Sequence, residues 1–277
     1  DQQDPVLRQW AEKLKVDFLT FRDINHQDFI SQIKTYDADL FVSMSFNQIF
    51  KKQILSIAPL GFINCHAGAL PFYRGRNILN WVLINDEKEF GVTVHYIDEG
   101  IDTGDIILQK KYPITDKDNY STLLRRASEY CGEILYEALL KINNGYFEVI
   151  PQSSIDISGS YCRRRKDGDE WIDWNWSSRQ IFNFIRAITH PGPLARSGIN
   201  DKIILLESCS IIDGQYLNKG NPGEILEKTS NSIIVKTGDG MIELFSDNLF
   251  SSNKKNKKHP ISFEKFEIGM IFNRLYF

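Results

Sequence analysis

The chain has 277 residues, and at roughly 150 residues per domain this length fits one large domain or two modest ones. Hydrophobic residues make up 42% and charged residues 25%, which excludes a disordered or collagen-like chain, and no apolar run approaches the roughly 18 residues of a membrane span. With 33 basic against 36 acidic residues the formal charge is −3, which speaks against a protein that coats nucleic acid by charge alone.

Taken in chain order, periodicity predicts a helix over 5–15, with Val6, Leu7, Trp10 and Leu14 on one face, then a short strand over 16–20. A second helix carries Phe29, Ile30 and Ile33. A buried strand over 39–44, a helix over 51–57 and a strand over 61–65 follow. The chain opens without methionine or a leader-like segment, and no apolar strand precedes the first helix. A missing first strand is therefore expected, with the numbering starting inside a domain. Further strands are predicted over 91–97 and 106–109, separated by the loop DEGIDTGD over 98–105. A long amphipathic helix over 121–143 places Leu124, Ile134, Leu135, Ala138 and Leu139 toward the core.

Residues 151–176 are polar and turn-rich and read as a linker, with Trp171, Trp174 and Trp176 bracing it or stacking a base. A short helix over 178–188 ends at the breaker His190-Pro191-Gly192-Pro193. From residue 200 onward the pattern is short strands: KIILLESCSII, GEILEK, SIIVKT and MIELF. The predicted class is α/β: a Rossmann-like, mostly parallel sheet flanked by helices over 1–150, a linker and connecting helix over 151–194, and a smaller β-rich, OB-like barrel over 195–277. The four cysteines, Cys65, Cys131, Cys162 and Cys209, are dispersed. That is neither a disulfide framework nor a zinc pattern, and it predicts free thiols in a reducing cytoplasm and no metal.

The segment INCHAGALPFYRGRNILNW, residues 63–81, holds the most chemistry. Asn64 and His66 lie two apart at a strand end and therefore point to one side. Strand C-termini are where open α/β sheets place ligands. An amide donor and an imidazole there suit binding of a developing oxyanion and movement of a proton, or else simply satisfy turn backbone. The loop 98–105 supplies Asp98, Asp102 and Asp105 with Gly100 and Gly104. One of its carboxylates could hold an imidazole in a single tautomer. The same loop also reads as an acidic turn; its acids do not follow the EF-hand pattern.

Asn64-Cys65-His66, the run LPFYRGR and the stretch GVTVHYIDEGIDTGDII behind them resemble the formyltransferases that use 10-formyltetrahydrofolate. The resemblance continues through SGSYCRRRKDGDEWIDWNW, PGEIL and IIVKTGDGMIELF, and it implies that a first strand, helix and second strand are missing before Asp4. It implies a catalytic set of Asn64, His66 and Asp102. It implies folate binding by Gln48, Ile49 and Phe50 and by Asp98, Glu99, Gly100 and Ile101, with Phe46, Ile49 and Leu70 lining a slot for the pterin or simply packing in the core. Arg76 is the candidate contact to the acceptor, or a surface ion pair.

RGRNILNW looks closer to the enzymes that formylate nucleotide-linked amino sugars than to the tRNA enzymes. The modest negative charge points the same way, because tRNA demands many phosphate contacts. The implied acceptor is a nucleotide-linked amino deoxysugar for bacterial surface polysaccharide, the implied location the cytoplasm and the implied assembly a homodimer, with neither membrane nor nucleic acid as partner. The alternatives are methionyl-tRNA formylation, for which the basic stretches 163–166 and 254–258 would speak, hydrolysis of formyltetrahydrofolate, and a folate-binding module without catalysis.

Overall fold

The computed structural model describes residues 4–145, 147–212, 219–252, 258–261 and 263–275. Two helices lead in, α1 (Asp4–Leu14) and α2 (Gln27–Lys34). The apolar face of α1 is uncovered: Val6, Leu7, Trp10 and Leu14 are all exposed. The strand predicted over 16–20 does not form. The segment carries strand-forming residues but, among the described residues, no neighbouring strand bonds to it, and β-propensity acts only through such pairing.

The first sheet is built from β1 (Phe41–Met44), β2 (Phe62–His66), β4 (Glu89–Tyr96) and β5 (Ile106–Pro113), in the order β1-β2-β4-β5. The short helix α3 (Lys52–Leu55) connects β1 to β2, and these two strands run parallel. Parallel pairing is confined to them. The β2–β4 and β4–β5 pairs are antiparallel, so the sheet is mixed rather than mostly parallel. The loop between β4 and β5 is too short for the crossover that a parallel pair needs. A two-residue strand, β3 (Arg74–Gly75), follows β2 and leads into α4 (Ile78–Ile84).

Helix α5 (Tyr120–Asn144) starts at a capping box formed by Asn119 and Thr122 and ends at Gly145 in the left-handed conformation. Its buried stripe is Leu123, Ala127, Cys131, Ile134, Ala138 and Ile142. Leu124, expected in the core, is exposed, because Leu123 one position earlier occupies the inward face. The polar stretch after α5 is ordered into α6 (Gln152–Ile155) and β6 (Tyr161–Cys162), and β6 pairs in parallel with β3. Helix α7 (Ser178–Ile188) has its own capping box from Ser177 and Gln180.

Eight strands follow: β7 (Ala195–Ile199), β8 (Lys202–Leu206), β9 (Ser210–Ile212), β10 (Ile225–Lys228), β11 (Ser232–Lys236), β12 (Met241–Phe245), β13 (Leu249–Ser252) and β14 (Lys258–Pro260). They form two antiparallel four-stranded sheets, β10-β11-β12-β9 and β14-β13-β8-β7. The first strand of the β-rich half, β7, thus starts at Ala195, seven residues before the first predicted strand, which opens at Lys202. Trp174 braces the joint: its Nε1–H donates to Ser197 Oγ at 2.9 Å and its ring stacks on Phe272. Trp176 packs edge-on against Phe184. One apolar core runs from Ile63, Val92 and Leu123 through Ile181 and Ile185 to Ile204, Ile233 and Phe272. Among the described residues, no helix is long and apolar enough to cross a membrane.

Candidate active site

The site forms where β2 ends. Strand alternation points Asn64 and His66 to one side, while Cys65 between them turns into the core toward the Cys131 carbonyl. The register completes the set. Ser43 on β1 lies beside Asn64, and His95 on β4 lies directly opposite it, next to an irregularity in the β4–β5 register that falls between Val94 and His95. Such irregularities re-aim side chains beside functional sites.

His95 is 1% exposed. Its Nδ1–H donates to the Tyr96 carbonyl at 2.7 Å, and its Nε2 lies 3.2 Å from Asn64 Nδ2. A carbonyl only accepts, so the proton sits on Nδ1 and the neutral Nε2 accepts from the Asn64 amide. Burial, and next the charge on His66, push the His95 pKa well below its ordinary value; Asp102 works in the opposite direction. The Asn64 amide is thereby fixed with its nitrogen toward the site and one N–H to spare.

His66 donates from Nε2 to the Tyr73 carbonyl at 2.8 Å, and its Nδ1 faces Asp102 Oδ2 at 3.7 Å. Both ring nitrogens therefore face acceptors. Gly68 makes room for this contact, since a Cβ there would lie 2.5 Å from His66 Nε2 and 2.6 Å from the Tyr73 carbonyl. The Asp102 carboxylate lies between the two imidazoles, with Oδ1 also 3.7 Å from His95 Nε2. Both distances exceed hydrogen-bond length but lie within ion-pair range. Its Oδ2 accepts the Gly75 N–H at 2.8 Å. Asp102 itself has φ 55°, a conformation that costs a non-glycine residue about 1–3 kcal/mol and persists only where surrounding contacts impose it.

These groups open onto a cleft of about 900 Å³. The segment after β1 and the loop after β4 contribute Gln48, Ile49, Phe50, Asp98, Gly100 and Ile101 to its lining. Glu99, which is exposed, is not among the lining residues. The side chains of Gln48 and Asp98 serve the scaffold, Gln48 Oε1 accepting from the Ile24 amide and Asp98 Oδ1 from the Gly100 amide. Phe50 packs against Phe46 and Phe62. Phe46, Ile49 and Ile101 are half-exposed apolar side chains in the cleft lining, whereas Leu70, expected beside them, belongs to the core.

Arg76, Tyr161 and Arg164 also line the cleft. Among the described residues Arg76 forms no ion pair; Arg164, on the segment after β6, belongs to the basic stretch 163–166 and was not expected in the cleft. Its neighbours are committed elsewhere: Arg163 is paired with Asp169, and Arg165 is half-buried over Phe184. Residues 254–257 of the second basic stretch lie outside the described residues. His95 was also missed. The sequence shows Thr93 and His95 at the same two-residue spacing as Asn64 and His66, but only the register reveals that the two pairs face each other. Among the described residues, no group of His, Cys, Asp or Glu side chains is arranged to hold a metal ion.

The formyl transferase family model matches residues 1–139, and the model of the formyl transferase C-terminal domain matches residues 165–259. The methionyl-tRNA formyltransferase of Thermodesulfovibrio yellowstonii is 33% identical over 268 residues, covering 97% of this chain and 84% of that relative. Among solved structures, the N-formyltransferase from Helicobacter canadensis in complex with folinic acid and dTDP-3-aminofucose aligns at TM-score 0.65 and 25% identity, over 86% of this chain and 81% of that one. HypX from Aquifex aeolicus shares the fold at TM-score 0.63 and 20% identity; the match takes in 91% of this chain but only 44% of HypX. With both family models matched in order and a third of the residues shared with a relative over almost the whole length, the chain belongs to the formyltransferase family and is an N-formyltransferase by class.

Proposed function

We propose that the protein transfers the formyl group of 10-formyltetrahydrofolate to the amine of a nucleotide-linked amino deoxysugar, in the cytoplasm, for surface polysaccharide. The observation that carries this reading is the lining of the cleft. It combines half-exposed Phe46, Ile49 and Ile101, which suit a flat heterocycle, with Arg76 and Arg164, which suit a diphosphate, and with Asn64, His66 and Asp102. The Helicobacter canadensis relative, whose complex holds folinic acid and dTDP-3-aminofucose, supports the same assignment of donor and acceptor.

In this mechanism the acceptor nitrogen bonds to the formyl carbon, and the bond from that carbon to N10 of the folate breaks. The free Asn64 N–H and His66, as N–H donor or imidazolium, meet the oxygen as negative charge develops on it. Asp102 orients His66, and the proton lost by the amine goes to N10. Removal of one oxyanion donor costs about 10²–10³ in kcat, so Asn64→Ala and His66→Ala should each lose about that much while melting as the native protein does. Near-native turnover by purified His66→Ala overturns this assignment.

The relatedness to methionyl-tRNA formyltransferase supports a second reading, formylation of charged initiator tRNA. One assay separates the two. The protein is incubated with 10-formyltetrahydrofolate and a panel of dTDP- and UDP-linked amino sugars or methionyl-tRNA, and both tetrahydrofolate release and acceptor mass are followed. Release with a formyl gain on a sugar nucleotide is expected, and loss of that gain on Arg76→Ala or Arg164→Ala, through a raised KM, should accompany it. Formylation of tRNA alone overturns the proposed acceptor, and release without any mass gain indicates hydrolysis.

A further inference from the structure

Gln152 opens α6, in the polar stretch that the sequence marks as linker, yet it is only 2% exposed. Its side chain uses its whole hydrogen-bonding capacity. Nε2 donates to the Asp102 carbonyl at 2.9 Å and to the Gly104 carbonyl at 2.7 Å. Oε1 accepts from Arg74 Nε at 3.0 Å and Nη2 at 2.7 Å. Arg74 is itself buried, with Nη1 donating to the Ser158 carbonyl at 3.4 Å and its guanidinium lying over the Tyr161 ring. The residue after Arg74, Gly75, donates its amide to the Asp102 carboxylate.

Asp102 is therefore gripped twice. Gln152 holds its carbonyl, Gly75 holds its carboxylate, and both grips lead back to β3. A left-handed aspartate needs such an outside hold, because its own backbone preference would carry it elsewhere. We propose that Gln152 is a positioning residue for the reaction: through the Asp102 and Gly104 carbonyls it fixes the loop after β4 so that the Asp102 carboxylate stands between His66 and His95. This role rests on the assignment of Asp102 to the catalytic set.

Gln152→Glu tests it. The variant keeps the side-chain length and an acceptor for Arg74, but it has no N–H for the two carbonyls. Tetrahydrofolate release from 10-formyltetrahydrofolate, measured with the acceptor that turns over in the panel above, should fall about 10- to 100-fold in kcat, as small misplacements of catalytic groups do, with the donor KM changing far less. In an Asp102→Ala background the same substitution should cost nothing more. Amide hydrogen exchange, which needs no acceptor, should quicken at Gly75 and over 98–105 while β4 keeps its protection. Should Gln152→Glu fail to fold, Gln152→Met combined with Arg74→Met removes both buried partners together and is read by the same exchange experiment. Native kcat, unchanged exchange at Gly75 and 98–105, or losses that multiply with Asp102→Ala each overturn the proposal. Native turnover by Asp102→Ala alone would instead remove the Asp102 assignment, and the exchange result would still decide whether Gln152 holds the loop.

Discussion

A histidine enclosed by a second histidine and by β-sheet has to stay uncharged for the fold to tolerate it. His95 meets that condition through burial and through the neighbouring His66 charge, which together push its pKa from the ordinary 6.5 down to about 4. The unfolded chain then binds a proton that the folded one refuses, so stability rises with pH through that interval. The contribution is complete above about pH 6.5 and is lost progressively as the pH falls toward about 4. The melting temperature should therefore be flat near pH 7 and fall on acidification toward about pH 5. His95→Gln, which has nothing to protonate there, should show a shallower acid limb in the same calorimetric series. It should also lower kcat, because the Asn64 amide loses the acceptor that aims it. Parallel acid limbs for the two proteins would show that His95 does not titrate across folding.

Among the elements, the two-residue pair of β3 and β6 has the largest effect on the site for its size. Gly75 has φ 97°, and a Cβ there would lie 2.4 Å from the Cys162 carbonyl, so both conformation and space demand glycine. Gly75→Ala should cost about 1–3 kcal/mol, read as a lowered urea midpoint, and should reduce turnover in the absence of denaturant by shifting the amide that holds Asp102. An unchanged midpoint would mean that the pair is not held as described. This element also marks how far the sequence is legible. Helix α7 has the predicted bounds and α5 extends one residue beyond them at each end, because capping boxes and apolar stripes are local signals. Asn64, His66 and Asp102 follow from a motif. The placement of His95 opposite Asn64, of Gln152 beneath Asp102 and of Arg164 on the cleft wall with Arg76 depends on register and on contacts distant in the chain. No local pattern encodes those. The strand predicted over 16–20 failed for the converse reason, since a local preference found no pairing partner.

At the scale of the molecule, α7 joins the two halves. Asn80 on α4 donates to the Ala187 carbonyl at 2.6 Å, satisfying one of the carbonyls that a helix C-terminus leaves open. At the other end, Arg179 bonds to both Asp86 and Asp116. Burial alone would raise the Asp86 pKa; Arg179, with Lys88 behind it, reverses this and holds the carboxyl well below its ordinary range. Ile181 and Ile185 on the same helix lie in the apolar core that reaches β2 and β4 on one side and β11 on the other. This core spans the division proposed near residues 150 and 195, so the halves are expected to unfold together. Ile185 has no exposed surface, so Ile185→Ala should remove about 2–5 kcal/mol. If the chain is one cooperative unit, that loss lowers the protection of amides in β4 and in β11 by the same factor in hydrogen exchange. Loss of protection in β11 with β4 unchanged would show instead that the β-rich half opens by itself, and that α7 belongs to that half rather than joining both.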